Sequence, residues 1–416
     1  MAAFMWRRAF PLLRRVSRFS LHNSCQSTRR LYSAGDTNTE KQLEVRKATY
    51  PLIIPPVYAK TAEAEEYRKK LIIQRINDKP TATEMIHELS KVQNWHYTIH
   101  PSCFHYSFLD FYKHIVKTLM VENLPKQTME LAGTPVVEQS MEMLKPHIID
   151  CILQEQLYLY RHKGKLAKQE NVAGKQTMEN IMRILLTGLA GDYPHLRDSQ
   201  IDQDVQVQSF WKREETRFQF TGNPLFLIRT KDPLPEFISK EDELSVGEVP
   251  LWSYAPENVS VFKQHINPVC FPGFKTGNPF TYGHTQIYTS TFSRTRCAKD
   301  QILEEVLQGF GMSSSFGWLN GLALYQMNNP YRDLKHPMTC QTIVTNGCQF
   351  SFFCYQLNTM GLSSQSADNP LRNVCWYSPD MKLYGDIQDG RIIDFNNDVL
   401  KLVIAFLLNR TCPLEE

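Results

Sequence analysis

Residues 340–357 constrain the fold more than any other stretch of this chain. Residues 340–344, the turn Thr345-Asn346-Gly347 and residues 348–357 read as a β-hairpin. An Asn-Gly pair supplies the positive φ angles that a tight turn needs. Phe350, Phe352 and Phe353 fall on both faces of the second strand, because neighbouring side chains alternate sides. A strand apolar on both faces needs cover on both. The hairpin is therefore expected at the centre of a sheet, packed by a helix predicted over 299–327 or by a terminal helix over 397–409.

The segments before residue 200 read mostly as helices. Thr81-Ala82-Thr83-Glu84 has the form of a capping box ahead of Met85, Ile86, Leu89 and Val92. Ser107 is placed to cap a helix carrying Phe108, Phe111, Tyr112, Ile115 and Leu119. Thr134-Pro135 suits a helix start. The segment after it is expected to break or kink at Pro146 and to resume over 148–160. A further helix is predicted over 177–189.

Near residue 200 the period changes. Residues 205–208 alternate as a half-buried strand does. Residues 217–220, 221–224 and 225–228 read as strand, turn, strand. The Pro-rich, acidic stretch 231–250 reads as a surface loop, and 284–288 as a strand. Gly309, Gly311, Gly317 and Gly321 in the 299–327 segment would let another backbone come close. Residues 394–397 cap the last helix. Strands after a helical half, without regular alternation, predict an α+β fold: a mainly helical N-terminal half and a mixed-sheet C-terminal domain covered by helices. The expected divisions are 1–32, 33–200 and 201–416.

The first segment reads as an address label, against the alternatives of a basic RNA-binding arm or a secretory signal. Seven Arg and no acidic residue occur in the first 35 positions, interleaved with large apolar residues. That is the composition of a mitochondrial transit peptide. Arg30-Leu31-Tyr32-Ser33 fits a processing pattern with Arg three residues before the new N-terminus, so cleavage is expected between Tyr32 and Ser33. The whole chain carries +3; without those seven arginines it carries −4. A protein threaded through RNA normally needs a large cationic excess. Any RNA contact here must therefore be local. Arg161, Lys163, Lys165 and Lys168 form the basic cluster that stands out, read either as RNA-facing or as a solvated helix end. No stretch reaches the roughly 18 apolar residues that span a bilayer.

Motifs for chemistry are sparse. Gly309-Phe310-Gly311 begins a dinucleotide-like pattern but position 314 is Ser, and Gly174-Lys175 is followed by Gln176. No cofactor site is indicated. Cys340, Cys348 and Cys354 lack paired zinc-ribbon spacing and read as buried thiols. His96, His100, His105 and His114 cluster, but Tyr97, Thr98 and Ile99 favour a strand, so a shared metal is disfavoured. His284 is either a catalytic base or a turn histidine bonded to backbone. It anchors the alternative reading, a soluble matrix enzyme of the hydrolase type.

Val344-Thr345-Asn346-Gly347 with Phe350-Ser351-Phe352-Phe353-Cys354-Tyr355-Gln356-Leu357-Asn358-Thr359 closely resembles a family of animal mitochondrial ribosomal proteins, first assigned to the small subunit as number thirty. Tyr282-Gly283-His284-Thr285-Gln286, Asn373-Val374-Cys375-Trp376 and Phe395-Asn396-Asn397-Asp398-Val399-Leu400 carry the same resemblance. It implies a structural constituent of the mitochondrial large ribosomal subunit, with no catalytic residues. It also implies partners: other large-subunit proteins, above all the related protein thirty-seven, and the large-subunit rRNA.

Overall fold

The computed structural model describes residues 61–101, 109–161, 166–250, 252, 256, 261–275, 277–290, 303–362 and 369–413. The chain divides into two units, 1–80 and 81–416. In the first, helix α1 (Ala62–Asn77) is capped by Thr61, whose side chain accepts from the Ala64 N–H. Glu65–Lys69 and Glu66–Lys70 ion pairs lie along it, four residues apart. Such pairs each add only a few tenths of a kcal/mol, about 0.2–0.5.

The second unit begins with α2 (Ala82–Ser90), β1 (Asn94–Ile99), α3 (Leu109–Val116), β2 (Thr118–Glu122), α4 (Lys126–Ala132), α5 (Pro135–Arg161), α6 (Leu166–Leu189) and α7 (Pro194–Arg197). It continues with β3 (Gln200–Gln203), β4 (Val207–Arg213), β5 (Thr216–Gly222), β6 (Phe226–Thr230), β7 (Phe262–Ile266), β8 (Tyr282–Thr289) and α8 (Leu303–Tyr325). It ends with β9 (Asp333–Thr345), β10 (Gln349–Thr359), β11 (Asn373–Tyr377), β12 (Met381–Lys382), β13 (Asp386–Gln388), β14 (Arg391–Ile393) and α9 (Asn397–Leu408).

The larger sheet has the order β2-β11-β10-β9-β8-β6-β3, with β12 beside β10. The smaller has the order β4-β5-β1-β7, and β13 and β14 form a separate ribbon. Both larger sheets are mixed: β8–β9, β11–β2 and β1–β5 pair parallel, whereas β9–β10 and β1–β7 pair antiparallel.

The β9–β10 hairpin is central, as expected, and both proposed helices cover it, one on each face. Phe350, Phe352 and Cys354 join a core with α5, α6 and α9. Phe353, Tyr355 and Leu357 join a second core with α3, α8 and the smaller sheet. Helix α8 is buried on every side from Val306 to Ala323, which is the signature of a helix with no solvent face. It lies between the two sheets, touching β9 and β10 on one side and β4 and β5 on the other. Its glycines permit this. A Cβ at Gly311 would sit 2.4 Å from the Phe353 ring, and one at Gly317 would sit 2.4 Å from Phe220.

Several expectations need correction. The N-terminal half is mainly helical among the described residues, but it also contributes β1 to the smaller sheet and β2 to the larger. Lys117 turns the chain at φ 48° between α3 and β2, ending the helix three residues before Leu119. Helix α5 runs unbroken through Pro146. Helix α6 begins at Leu166, eleven residues before the expected start. Strands β5 and β6 are not a hairpin: the chain crosses there from one sheet to the other, and β5 pairs back onto β4 instead. At the β9–β10 turn only Gly347 has positive φ, at 89°. Asn346 acts through its side chain, whose Oδ1 accepts from the Cys348 and Gln349 N–H groups. The 231–250 loop is partly core: Phe237 is buried, and its N–H and that of Ile238 donate to Gln356 Oε1 on β10. Thr81 does cap α2, accepting from the Glu84 N–H at 3.3 Å. Ser107 lies outside the described residues.

Candidate functional site

The buried titratable groups act as clamps. His284 on β8 is 1% exposed. Its Nε2 donates to the Asn409 carbonyl at 2.8 Å, and Nδ1 lies 2.9 Å from the Thr285 hydroxyl. Thr285 in turn takes a hydrogen bond from Gln341 Nε2. Burial holds the imidazole neutral, with its pKa down at about 4. Both ring nitrogens are engaged by the fold: the histidine is bonded to backbone, as the second reading expected, but it sits within a strand and not in a turn.

The serines and cysteines behave in the same way. Ser314 and Ser315 donate to the Phe310 and Gly311 carbonyls, four residues back along α8. Cys340 and Cys354 lie on opposite faces of the hairpin, fully buried. Burial pushes the Cys354 thiol up to about 12 and raises Cys340 further. Thiols so placed are poor nucleophiles and poor metal ligands.

His96 lies within β1, where its Nδ1 meets the Asn94 carbonyl at 3.0 Å. Strand residues four apart lie roughly 13 Å from each other, so His96 and His100 do not converge. His105 lies outside the described residues, and His114 is buried in α3. Among the described residues no group of three His, Cys, Asp or Glu side chains is placed to hold a metal ion.

Open grooves occur on the surface formed by the described residues. One, of about 450 Å³, is lined by Leu124, Met129, Pro379, Asp398, Lys401 and Leu402. Another, of about 630 Å³, runs between α5 and α6 past Met143, His147, Cys151, Asn180 and Arg183. The strongly perturbed groups, His284, Cys340, Cys354 and Lys117, line neither groove. Among the described residues no helix is long and apolar enough to cross a membrane.

The basic cluster spans the α5–α6 connection. Arg161 is the last residue of α5 and Lys168 lies in the first turn of α6. Lys163 and Lys165 lie outside the described residues. So do Tyr32 and Ser33.

A second cationic surface escaped the sequence reading. At the β7 edge of the smaller sheet, Trp95 of β1 is 57% exposed and Phe262 of β7 is 60% exposed. The His265 ring lies 5.1 Å from that of Trp95. Lys263 Nζ lies 5.7 Å from the Trp95 ring and 5.2 Å from that of Tyr97. A signal was present in the sequence: residues 258–299 contain no Asp or Glu.

Comparison with known proteins gives a consistent picture. The profile of a family described as "Mitochondrial 28S ribosomal protein S30 (PDCD9)" matches residues 15–218 and 212–411. The chain is also similar to large ribosomal subunit protein mL37 of Gallus gallus, with 23% identity over 279 residues, 66% of this chain and 62% of the relative. The mL37 proteins of Rattus norvegicus and Bos taurus are 25% and 24% identical, each across 65% of this chain and 62% of theirs. The alignments thus span less than two thirds of each relative's own length.

Proposed function

The chain belongs to the mitochondrial 28S ribosomal protein S30 (PDCD9) family, and from that premise we propose that it is built into the large subunit of the mitochondrial ribosome. Its role is structural and it is not an enzyme. The family description names the 28S particle, whereas the relatives at 23–25% identity are named as large-subunit proteins. The similarity to mL37 carries the large-subunit reading, because two homologous scaffolds derive from one ancestral surface and tend to retain one setting. Contact with mL37 itself, and with large-subunit rRNA, belongs to the same proposal.

Within it, Arg161, Lys163, Lys165 and Lys168 face phosphate from the α5–α6 connection, and the transit segment is removed between Tyr32 and Ser33. The support is electrostatic: without its first 32 residues the chain carries −4 and can meet RNA only through local cationic clusters.

Sedimentation of the tagged full chain from mitochondrial lysate, after the subunits are dissociated, tests the assignment. Co-migration with the large subunit is expected; co-migration with the small subunit, or a free pool alone, refutes it. Changing Arg161, Lys163, Lys165 and Lys168 together to Glu is expected to weaken incorporation in a salt-dependent way. Incorporation equal to wild type assigns that cluster to solvent. N-terminal sequencing of the protein recovered from mitochondria is expected to begin at Ser33; a start at Met1 removes the cleavage proposal.

A further inference from the structure

We infer that the β7 edge of the smaller sheet is a platform for single-stranded RNA, with Trp95 stacking on a base and Lys263 beside it facing phosphate. The inference rests on the ribosomal reading and assigns a specific surface to it.

Charge is the first argument. Strands β4, β5, β1 and β7 contain Lys212, Arg213, Arg217 and Lys263 and not one carboxylate. The acid-free intervals extend beyond the strands, over 89–109, 216–231 and 258–299. Two of the flanking carboxylates are held by lysines. Glu88 pairs with Lys91 at 2.7 Å. Glu215 pairs with Lys212 at the opposite edge of the sheet, 3.4 Å away. Arg213 points inward and donates to the Leu362 carbonyl. At the β7 edge Lys263 lies against the rings of Trp95 and Tyr97, with His265 opposite Trp95 as a polar ring. In a chain whose processed net charge is negative, a carboxylate-free sheet is a local departure that suits a polyanion.

Geometry is the second argument. Strand register places Trp95 opposite His265 and Tyr97 opposite Lys263 on one face. The inner end of that face is closed by Phe218, which packs on Tyr97, and by Phe111, which packs on Phe218. Its outer end is open, and there the indole is more than half exposed. An exposed indole flanked by a second ring and an ammonium group presents a π-face with a cation at its rim. Bases stack on such a face whatever their identity, and the adjacent cation meets the phosphate. The other face of the edge carries the exposed Phe262, with Gln264 beside it in strand order. An added peptide strand would use the backbone of β7 and would leave the indole without a role. RNA uses both the aromatic and the cationic groups.

The test uses the purified full chain and a fluorescein-labelled ten-nucleotide oligouridylate, read by anisotropy at two salt concentrations. Wild type is expected to bind, more weakly at higher salt. Trp95→Ala is expected to lose about tenfold to a hundredfold in affinity, with Trp95→Phe recovering most of it. Lys263→Glu is expected to weaken binding and to flatten the salt dependence. Both side chains reach solvent, so urea midpoints serve as the check that the fold is retained. No binding by wild type, or binding by Trp95→Ala equal to wild type, overturns the inference. Binding of a labelled acidic extended peptide without any oligonucleotide binding reassigns the edge to a protein partner and overturns it too. The two readings fail separately: a tagged chain that does not sediment with a ribosomal subunit counts against the ribosomal reading, whereas normal sedimentation with unaltered Trp95→Ala binding counts against this surface alone.

Discussion

Phe352→Ala tests the architecture at its centre. Phe352 lies on β10, opposite Ile343 of β9, and is fully buried. Its ring meets Phe406 of α9 edge-on at 5.2 Å and lies parallel to Phe350 at 6.3 Å. Removing the ring forfeits the transfer free energy of a large apolar side chain, about 2–3 kcal/mol. A cavity term adds to this, because β10 is held by strands on both sides and α9 cannot settle into the gap without leaving its other contacts. The total expected is about 3–5 kcal/mol, of which the edge-on contact with Phe406 accounts for roughly 1 kcal/mol. Phe262→Ala is the internal control: the same atoms are removed from a residue 60% exposed, and the expected loss is within about 0.5 kcal/mol. Urea unfolding of the purified full chain, followed by tryptophan fluorescence, compares the two. With a slope of about 3 kcal/mol per molar, Phe352→Ala is expected to lower the midpoint by about 1–1.7 M. A loss below about 1 kcal/mol, or one equal to that of Phe262→Ala, would refute the placement of this strand between two covered faces.

Three other outcomes follow from named contacts. Gly347→Ala is expected to lower the melting temperature more than Gly390→Ala: both have positive φ, but a Cβ at Gly347 would sit 3.1 Å from Gly174 Cα of α6, while one at Gly390 meets nothing within 4 Å. Lys117 is fully buried, donates to the Asn369 carbonyl at 2.6 Å, and is held down to a pKa of about 8 by desolvation. Its charged form therefore penalises folding below pH 8, and wild type is expected to gain roughly 2–3 kcal/mol on Lys117→Met as pH rises from 8 to 10.5. His284 sits at about 4, so the unfolded chain takes up its proton first as pH falls. Wild type is expected to lose roughly 3 kcal/mol relative to His284→Gln between pH 6.5 and 4, measured by urea titration at each pH.

The sequence disclosed features encoded by local chemistry. The central hairpin was legible because Asn346-Gly347 and the Phe-rich strand are contiguous, and the caps at Thr81 and Asn396 because each bonds within its own first turn. Close approach to the glycines of α8 was legible as a possibility, but not its partners, since Phe353 and Phe220 come from different sheets. What was missed depends on long-range pairing. Strand β2 is short and follows directly on α3; only Lys117 in a left-handed conformation separates them, and lysine carries no turn signal. The β4–β5 turn is likewise made by Glu214 at φ 50°, without Gly or Asn. The Trp95 surface was missed because net charge averages over the chain, whereas the acid-free intervals meet only when β1, β5 and β7 come together.

Strongly shifted titratable groups usually converge on a cleft when they serve a reaction. Here they are dispersed, and each joins segments far apart in sequence. His284 fixes the end of α9 to β8 through the Asn409 carbonyl. Lys117 fixes the α3–β2 turn to the Asn369 carbonyl. A fold whose sheets draw strands from both ends of the chain has many crossings, and crossings leave buried carbonyls that no ladder hydrogen bond reaches. A long polar side chain reaches them at the cost of its own desolvation. The shifts therefore arise from stitching the layers together, and substitution at any of these positions should first change how much folded protein reaches the ribosome.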